Sequence, residues 1–186
     1  VYRVPRRGPN RLNANLDLTA NALSWPALNW GKASGAPATA MVEATIADGQ
    51  AVKLDRLRVA TGDDVIEGSA DFAPDGRLNK IGLGRLKLGR TDVTVMAQRT
   101  GEHWDADVQG AAIDLGDALE DVLDDGATDS DAPPVTMTMA LDSVLFADDR
   151  SFAHVAGLLD RRAGRIHRAS LTGQLKGGEQ VVIRLE

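Results

Sequence analysis

The sequence predicts an all-β dominated fold, a curved antiparallel β-meander sheet shaped as a groove (taco-like) or closed into a sandwich, with one short α-helix. Three observations carry this reading. Apolar residues recur at every second position in run after run, the period of a strand with one buried face. Short Gly and Asp turns separate the runs, as antiparallel hairpins require. Four runs change phase once, from a step of two residues to a step of three, as a bulge that bends a strand requires, and as a crossing between two sandwich layers or a strand buried on both faces would equally give.

Taken in order, Arg11 to Asn21 alternates completely, with Leu12, Ala14, Leu16, Leu18 and Ala20 opposite a polar side. Ser24 to Pro37 holds two prolines and two glycines and reads as a loop, because these residues interrupt continuous pairing. Ala40, Val42, Ala44 and Ile46 restore period two up to the turn Asp48-Gly49. Val52 and Leu54 are followed by Leu57 and Val59, the first phase slip. After Gly62-Asp63-Asp64 come Ile66, Gly68, Ala70 and Phe72, then the turn Pro74-Asp75-Gly76. Ile81 and Leu83 slip to Leu86 and Leu88, with Gly82-Leu83-Gly84 as the place where the sheet bends. Val93, Val95 and Ala97 lie between the turns Gly89-Arg90 and Thr100-Gly101. Trp104, Ala106, Val108 and Gly110 follow.

Asp114 to Leu123 reads as the short helix: Leu115, Ala118, Leu119, Val122 and Leu123 keep helical spacing and Asp114 can cap the first turn. Asp124 to Pro134 is an acidic connector and the one internal boundary, separating residues 1–123 from a continuation of the same sheet over 135–186. There Met137, Met139 and Leu141 slip to Val144 and Phe146, Ile166 slips to Ala169, Leu171 and Leu175, and Val181, Ile183 and Leu185 close the pattern. The count is about ten or eleven strands. The chain reads as a piece of a longer protein, since it lacks an initiating Met and stops inside an alternating run whose edge would seek a partner.

The 186 residues can bury a core without staples, and the chain has no Cys, which removes thiolate chemistry and leaves the compartment open. A net charge of -6 argues against a nucleic-acid partner and against anionic headgroups. No run reaches the roughly 18 apolar residues that cross a bilayer.

Chemistry is sparse. His103, His154 and His167 share no ligand spacing, and no nucleophile elbow, zinc motif or phosphate loop is present. Asp125, Asp129 and Asp131 could hold calcium, but without EF-hand order they read as a solvated linker. Asp63-Asp64 and Asp148-Asp149 serve turns, and Trp25, Trp30 and Trp104 read as packing rather than a sugar platform. The sequence therefore predicts no enzyme, metal or cofactor. What remains is the aliphatic face: Leu16, Leu18, Val42 and Ile46, then Leu54, Val59, Ile66 and Phe72, then Val93, Val95, Trp104 and Val108, and last Met137, Met139 and Leu141. In a closed sandwich that face is core; in a sheet left open it is a groove for hydrocarbon, and the sequence leaves both standing.

The run from Arg77 to Leu123 resembles the AsmA-like superfamily of Gram-negative envelope proteins, of AsmA, TamB and YhdP type. The resemblance rests on Leu86-Lys87-Leu88-Gly89 leading into Arg90-Thr91-Asp92-Val93, on Gly101-Glu102-His103-Trp104, on Asp107-Val108-Gln109-Gly110, and on Ile113-Asp114-Leu115. Leu16-Asp17-Leu18-Thr19-Ala20 is similar in style. The resemblance implies an inner-membrane anchor outside this chain, a body on the periplasmic side built of β-meanders around a hydrophobic groove, and phospholipid acyl chains as cargo in transport between the membranes. It also leaves room for β-edge pairing with the rest of the chain or with a partner. The alternative is a non-catalytic β-sandwich binding or scaffold domain of an envelope or extracellular assembly.

Overall fold

The structure is a computed structural model that describes residues 2–3, 10–116, 133–146, 150–163, 165–175 and 177–185. Fourteen strands form: β1 (Tyr2–Arg3), β2 (Asn10–Asp17), β3 (Leu23–Trp25), β4 (Trp30–Lys32), β5 (Thr39–Ala47), β6 (Gln50–Thr61), β7 (Asp64–Phe72), β8 (Leu78–Leu88), β9 (Thr91–Thr100), β10 (His103–Gly116), β11 (Val135–Phe146), β12 (Ser151–Arg162), β13 (Arg165–Gln174) and β14 (Gln180–Leu185). Twelve of them make one large curved sheet in chain order, not closed into a barrel, and β3 and β4 pair separately as a small hairpin.

Neighbours in the large sheet are antiparallel except β10 and β11, which run parallel from Trp104↔Val135 to Gly116↔Phe146. The expected meander is thus interrupted once, because β10 and β11 rise the same way and cannot be joined by a hairpin. The seam is tied by side chains as well as backbone: the Thr138 hydroxyl donates to Asp107 at 2.8 Å, Ser143 donates to the Ala111 carbonyl at 3.2 Å, and His103 Nε2 meets Thr136 Oγ1 at 3.0 Å.

Three sequence expectations are corrected. The helix expected from Asp114 does not start there, since β10 runs on through Gly116. The Asp114 carboxylate does accept a hydrogen bond from the N–H two residues on, at 3.0 Å, but it also binds Arg90 through Nε at 2.7 Å and Nη2 at 3.1 Å. That pair of a buried carboxylate and an exposed guanidinium, with the Asp114 N–H donating to the Thr91 hydroxyl, holds the segment as sheet. Residues 117–123 and the connector up to 132 lie outside the described residues. The Ser24–Pro37 loop contains structure: Trp25 pairs Trp30 across a 3-10 turn at Pro26–Leu28. Proline at its first position costs no hydrogen bond, which explains why the prolines did not exclude it. Finally, β2 stops at Asp17, so Leu18 and Ala20 leave the alternating strand; the Leu18 N–H instead bonds the Ala38 carbonyl at 2.8 Å.

The phase slips mark the curvature. Register shifts fall between Leu54 and Leu57 in β6, between Leu83 and Leu86 in β8, and at His167 in β13, where Asp160 pairs Arg168 and Arg161 pairs Ile166. In β11 the slip produces no shift against either neighbour; it lies level with the shift between Gly110 and Ala112 in β10. The irregularities from β6 to β12 line up, while the shift at His167 of β13 lies apart from them, opposite Asp160 and Arg161. Leu57 pairs Gly68 and Gly68 pairs Leu83; Leu86 pairs Val93, Val93 pairs Gly110, Gly110 pairs Leu141 and Leu141 pairs Val155, next to the shift between Ala153 and Ala156 in β12. A row of bulges at one height bends successive strands at the same place, so the sheet folds along a crease that crosses the strands. From β6 to β12 this crease crosses six inter-strand gaps, about 29 Å.

Charge pairs decorate the outer side. Asp160 has its carboxyl held below the ordinary carboxylate range, first by hydrogen bonds from Arg162 at 2.8 and 3.2 Å. Asp17, Asp75 and Glu102 are lowered likewise, chiefly by hydrogen bonds from Thr19, Arg77 and Arg77 respectively. A lowered folded-state value means that the stabilisation is complete above the ordinary range and is lost as pH falls through the lowered one. Arg162→Ala is therefore expected to raise the Asp160 midpoint toward its ordinary 3.8 and to make the loss of stability below about pH 4 shallower. Carboxyl titration by NMR checks this, and an unmoved midpoint would discard the pairing.

Candidate functional site: an apolar trough with a seated lobe

On the inner side of the crease the strands present Leu, Val, Ile, Ala and Met. The period-two pattern puts Leu54, Leu57 and Val59 of β6 beside Ala70, Gly68 and Ile66 of β7, and Ile81, Leu83 and Leu86 of β8 beside Ala97, Val95 and Val93 of β9. Two crease glycines let the strands fold this closely. A Cβ on Gly68 would fall 2.5 Å from the Gly82 carbonyl oxygen, and one on Gly110 would fall 2.6 Å from Val93 Cα.

The surface is not uniform. Leu86, Leu88, Val93, Val108, Leu141, Val144 and Val155 are buried together, and Leu28 from the 3-10 turn is buried with them. Val93, Val108 and Leu141, expected as groove lining, are therefore closed core at 3, 8 and 5% exposure. Val42, Ile46, Leu54 and Val59 are half-buried, as are Ile66, Phe72, Val95 and Trp104, and so are Met137 and Met139. Leu16 stands at the β2 edge with 48% exposure, and Leu18 is half-buried at the root of the lobe. The structure so divides the predicted set into an open part and a part already covered.

Leu18–Ala38 forms the covering lobe. Leu28 reaches the core, Asn29 lies against Gly116, and Trp30 lies against the β8–β9 turn at Gly89. Trp30 Nε1 donates to Asp64 Oδ2 at 2.6 Å while Asp64 Oδ1 accepts the Gly89 N–H at 2.7 Å. Asp64, read from sequence as a turn residue, thus joins the lobe to two hairpins. Neither Leu28 nor this contact was legible in sequence: a lone Leu between Pro26 and Trp30 has no periodicity to give it away.

The opposite face is polar. Lys80, Gln98, Asp105, Asp107, Thr136 and Thr138 rim a depression whose lining also includes Met96, Ala97 and Ala106. Its carboxylates are engaged locally, Asp107 by Thr138 and Gln109, and Asp105 lies 3.5 Å from His103. Among the described residues no group of three or more His, Cys, Asp or Glu could hold a metal ion. The arrangement offers hydrocarbon contact on one face and solvated polarity on the other.

The described residues thus form one large curved β sheet with a mostly aliphatic face, together with the β3–β4 hairpin. No family model, curated protein or solved structure matches it.

Proposed function

We propose that this chain is a segment of an inner-membrane-anchored protein on the periplasmic side of the envelope, which holds phospholipid acyl chains in the apolar trough and serves phospholipid transport and outer-membrane homeostasis without catalysis. The observation that carries the reading is the crease: aligned bulges fold an aliphatic sheet face into a trough while the sheet stays unclosed. Such a lining favours hydrocarbon through burial alone and needs no directional group. The resemblance of Arg77–Leu123 to the AsmA-like superfamily supplies the location and the cargo.

The sheet edges extend the proposal. Val182, Ile183 and Leu185 of β14 are 55, 48 and 49% exposed, and β14 pairs on one side only. Among the described residues, β1 pairs with Arg11 and Leu12 of β2. Strands from the rest of the protein or from a partner would cover these edges and continue the apolar face. Val95→Asp, placed in the half-buried part of the trough, is expected to cut co-purifying phospholipid at least tenfold in native mass spectrometry while the far-ultraviolet spectrum is kept. An undiminished load in that folded variant would sink the trough as the site. The buried cluster around Leu28 favours a second reading, a closed scaffold domain, and wild-type protein that is repeatedly free of lipid would select it.

A further inference from the structure

We propose that the Leu18–Ala38 lobe is a removable stopper, an internal occupant of the trough that Leu28 seats on the same aliphatic surface a lipid chain would use. This rests on the trough being the binding surface, and it adds how that surface is regulated. The first support is where Leu28 sits. It joins the buried cluster that contains Leu88, Val93, Val108 and Leu141, residues that belong to the apolar face and would otherwise line it. A lipid chain and Leu28 cannot both be there, so occupancy and seating exclude each other.

The second support is how the lobe is held. Its polar groups are satisfied from within: Lys32 Nζ, buried, donates to the carbonyls of Asn21 at 2.6 Å, Ala33 at 3.1 Å and Thr19 at 3.3 Å. The Gly35 N–H donates to the Thr19 carbonyl, Ser34 donates to Ala20, and Leu18 to Ala38 closes the root. Against the sheet, the hydrogen bonds are Trp30 to Asp64 at the tip side and Thr61 to the Pro37 carbonyl at the root. Among the described residues, a unit that keeps its own hydrogen bonds when it lifts gives up its apolar seat, the Trp30 contact and the packing of Asn29 on Gly116, with Thr61 to Pro37 at its root, so it opens as one body. Opening uncovers a surface that an acyl chain can then cover, which is a population shift driven by differential binding.

The test uses a lock. A Cβ on Gly116 would lie 2.9 Å from the Cβ of Asn29, so the two must move apart to reach the disulfide range of about 3.5–4.5 Å, and the left-handed φ of +49° at Gly116 adds backbone strain that the lobe's displacement must absorb. The chain has no other cysteine, so Asn29→Cys with Gly116→Cys gives one protein that is locked when oxidised and free when reduced. Binding of a pyrene-labelled fatty acid is expected to be at least tenfold weaker in the oxidised form; equal binding overturns the stopper. If neither form binds the probe, the acyl-chain reading falls, and amide exchange judges the stopper alone. Exchange at Leu88 and Val93 is then expected to be at least tenfold faster in the reduced form, with Leu12 and Ala44 in β2 and β5 as unchanged references. Equal exchange in the two forms overturns it.

Discussion

Leu88→Ala is expected to remove about 3–5 kcal/mol of folding stability, the range for emptying a well-packed leucine site that collapses poorly. Leu88 is 2% exposed and is among the largest fully buried side chains, beside Val155 and Thr91. It ends β8, pairs Thr91 across the Gly89-Arg90 turn, and lies in the cluster that receives Leu28. The site is boxed in by backbone that is held in place. Asp64 fixes the Gly89 N–H, and Arg90 pairs with the buried Asp114, so the turn cannot sink into the cavity. Equilibrium urea unfolding measures the loss, with the slope unchanged if the denatured state is the same. A loss below about 1 kcal/mol would mean that the cluster is not the core.

Gly110→Ala is expected to cost about 2–3 kcal/mol, the upper part of the range for forcing extra volume into packed structure. The added methyl would meet Val93 Cα at 2.6 Å and the Val93 side chain at 3.1 Å, and backbone cannot yield as a flexible side chain can. Gly84→Ala supplies the contrast. It lies within the bulge of β8 between Leu83 and Leu86, yet a Cβ there would meet nothing within 4 Å. Its cost is expected to stay within about 0.5 kcal/mol. Thermal melts of the two variants decide: equal destabilisation would show that the crease tolerates side chains generally, and that close strand approach at Gly110 is not what shapes the trough.

These two positions illustrate what can be read in one dimension. The slip from Leu83 to Leu86 is visible because period two is strict, and any bulge must break it. That Gly110 is closely pressed, whereas Gly84 is free, depends on which strand passes over each, and both are simply glycines in a strand pattern. The same difference separates Val95 from Val108. Both alternate correctly and both were expected in the groove, but Val108 is buried at 8% exposure whereas Val95 is only half-buried against the same cluster.

The expected helix shows a competition between levels. Asp114 carries a local capping signal, and Leu115 fits a helical face, but Arg90, 24 residues earlier, claims the same carboxylate for the sheet. A long-range ion pair leaves no trace in spacing. Nor does the parallel pairing of β10 with β11, since alternation sets which face a residue takes and not the direction of its neighbour.

The sequence by itself determined the all-β character, the position of most strands, the bends at Leu54–Leu57, Leu83–Leu86 and Ile166–Ala169, and the aliphatic nature of one face. These are properties of local period and turn chemistry, which each segment carries alone. Only the tertiary structure decided that the bends of β6 and β8 align into one crease with those of β10 and β12, that β10 and β11 run parallel, and that Leu28 joins the buried part of the apolar face. Each of those depends on segments distant in sequence meeting, and that meeting is fixed by the packing of the whole sheet rather than by any segment within it.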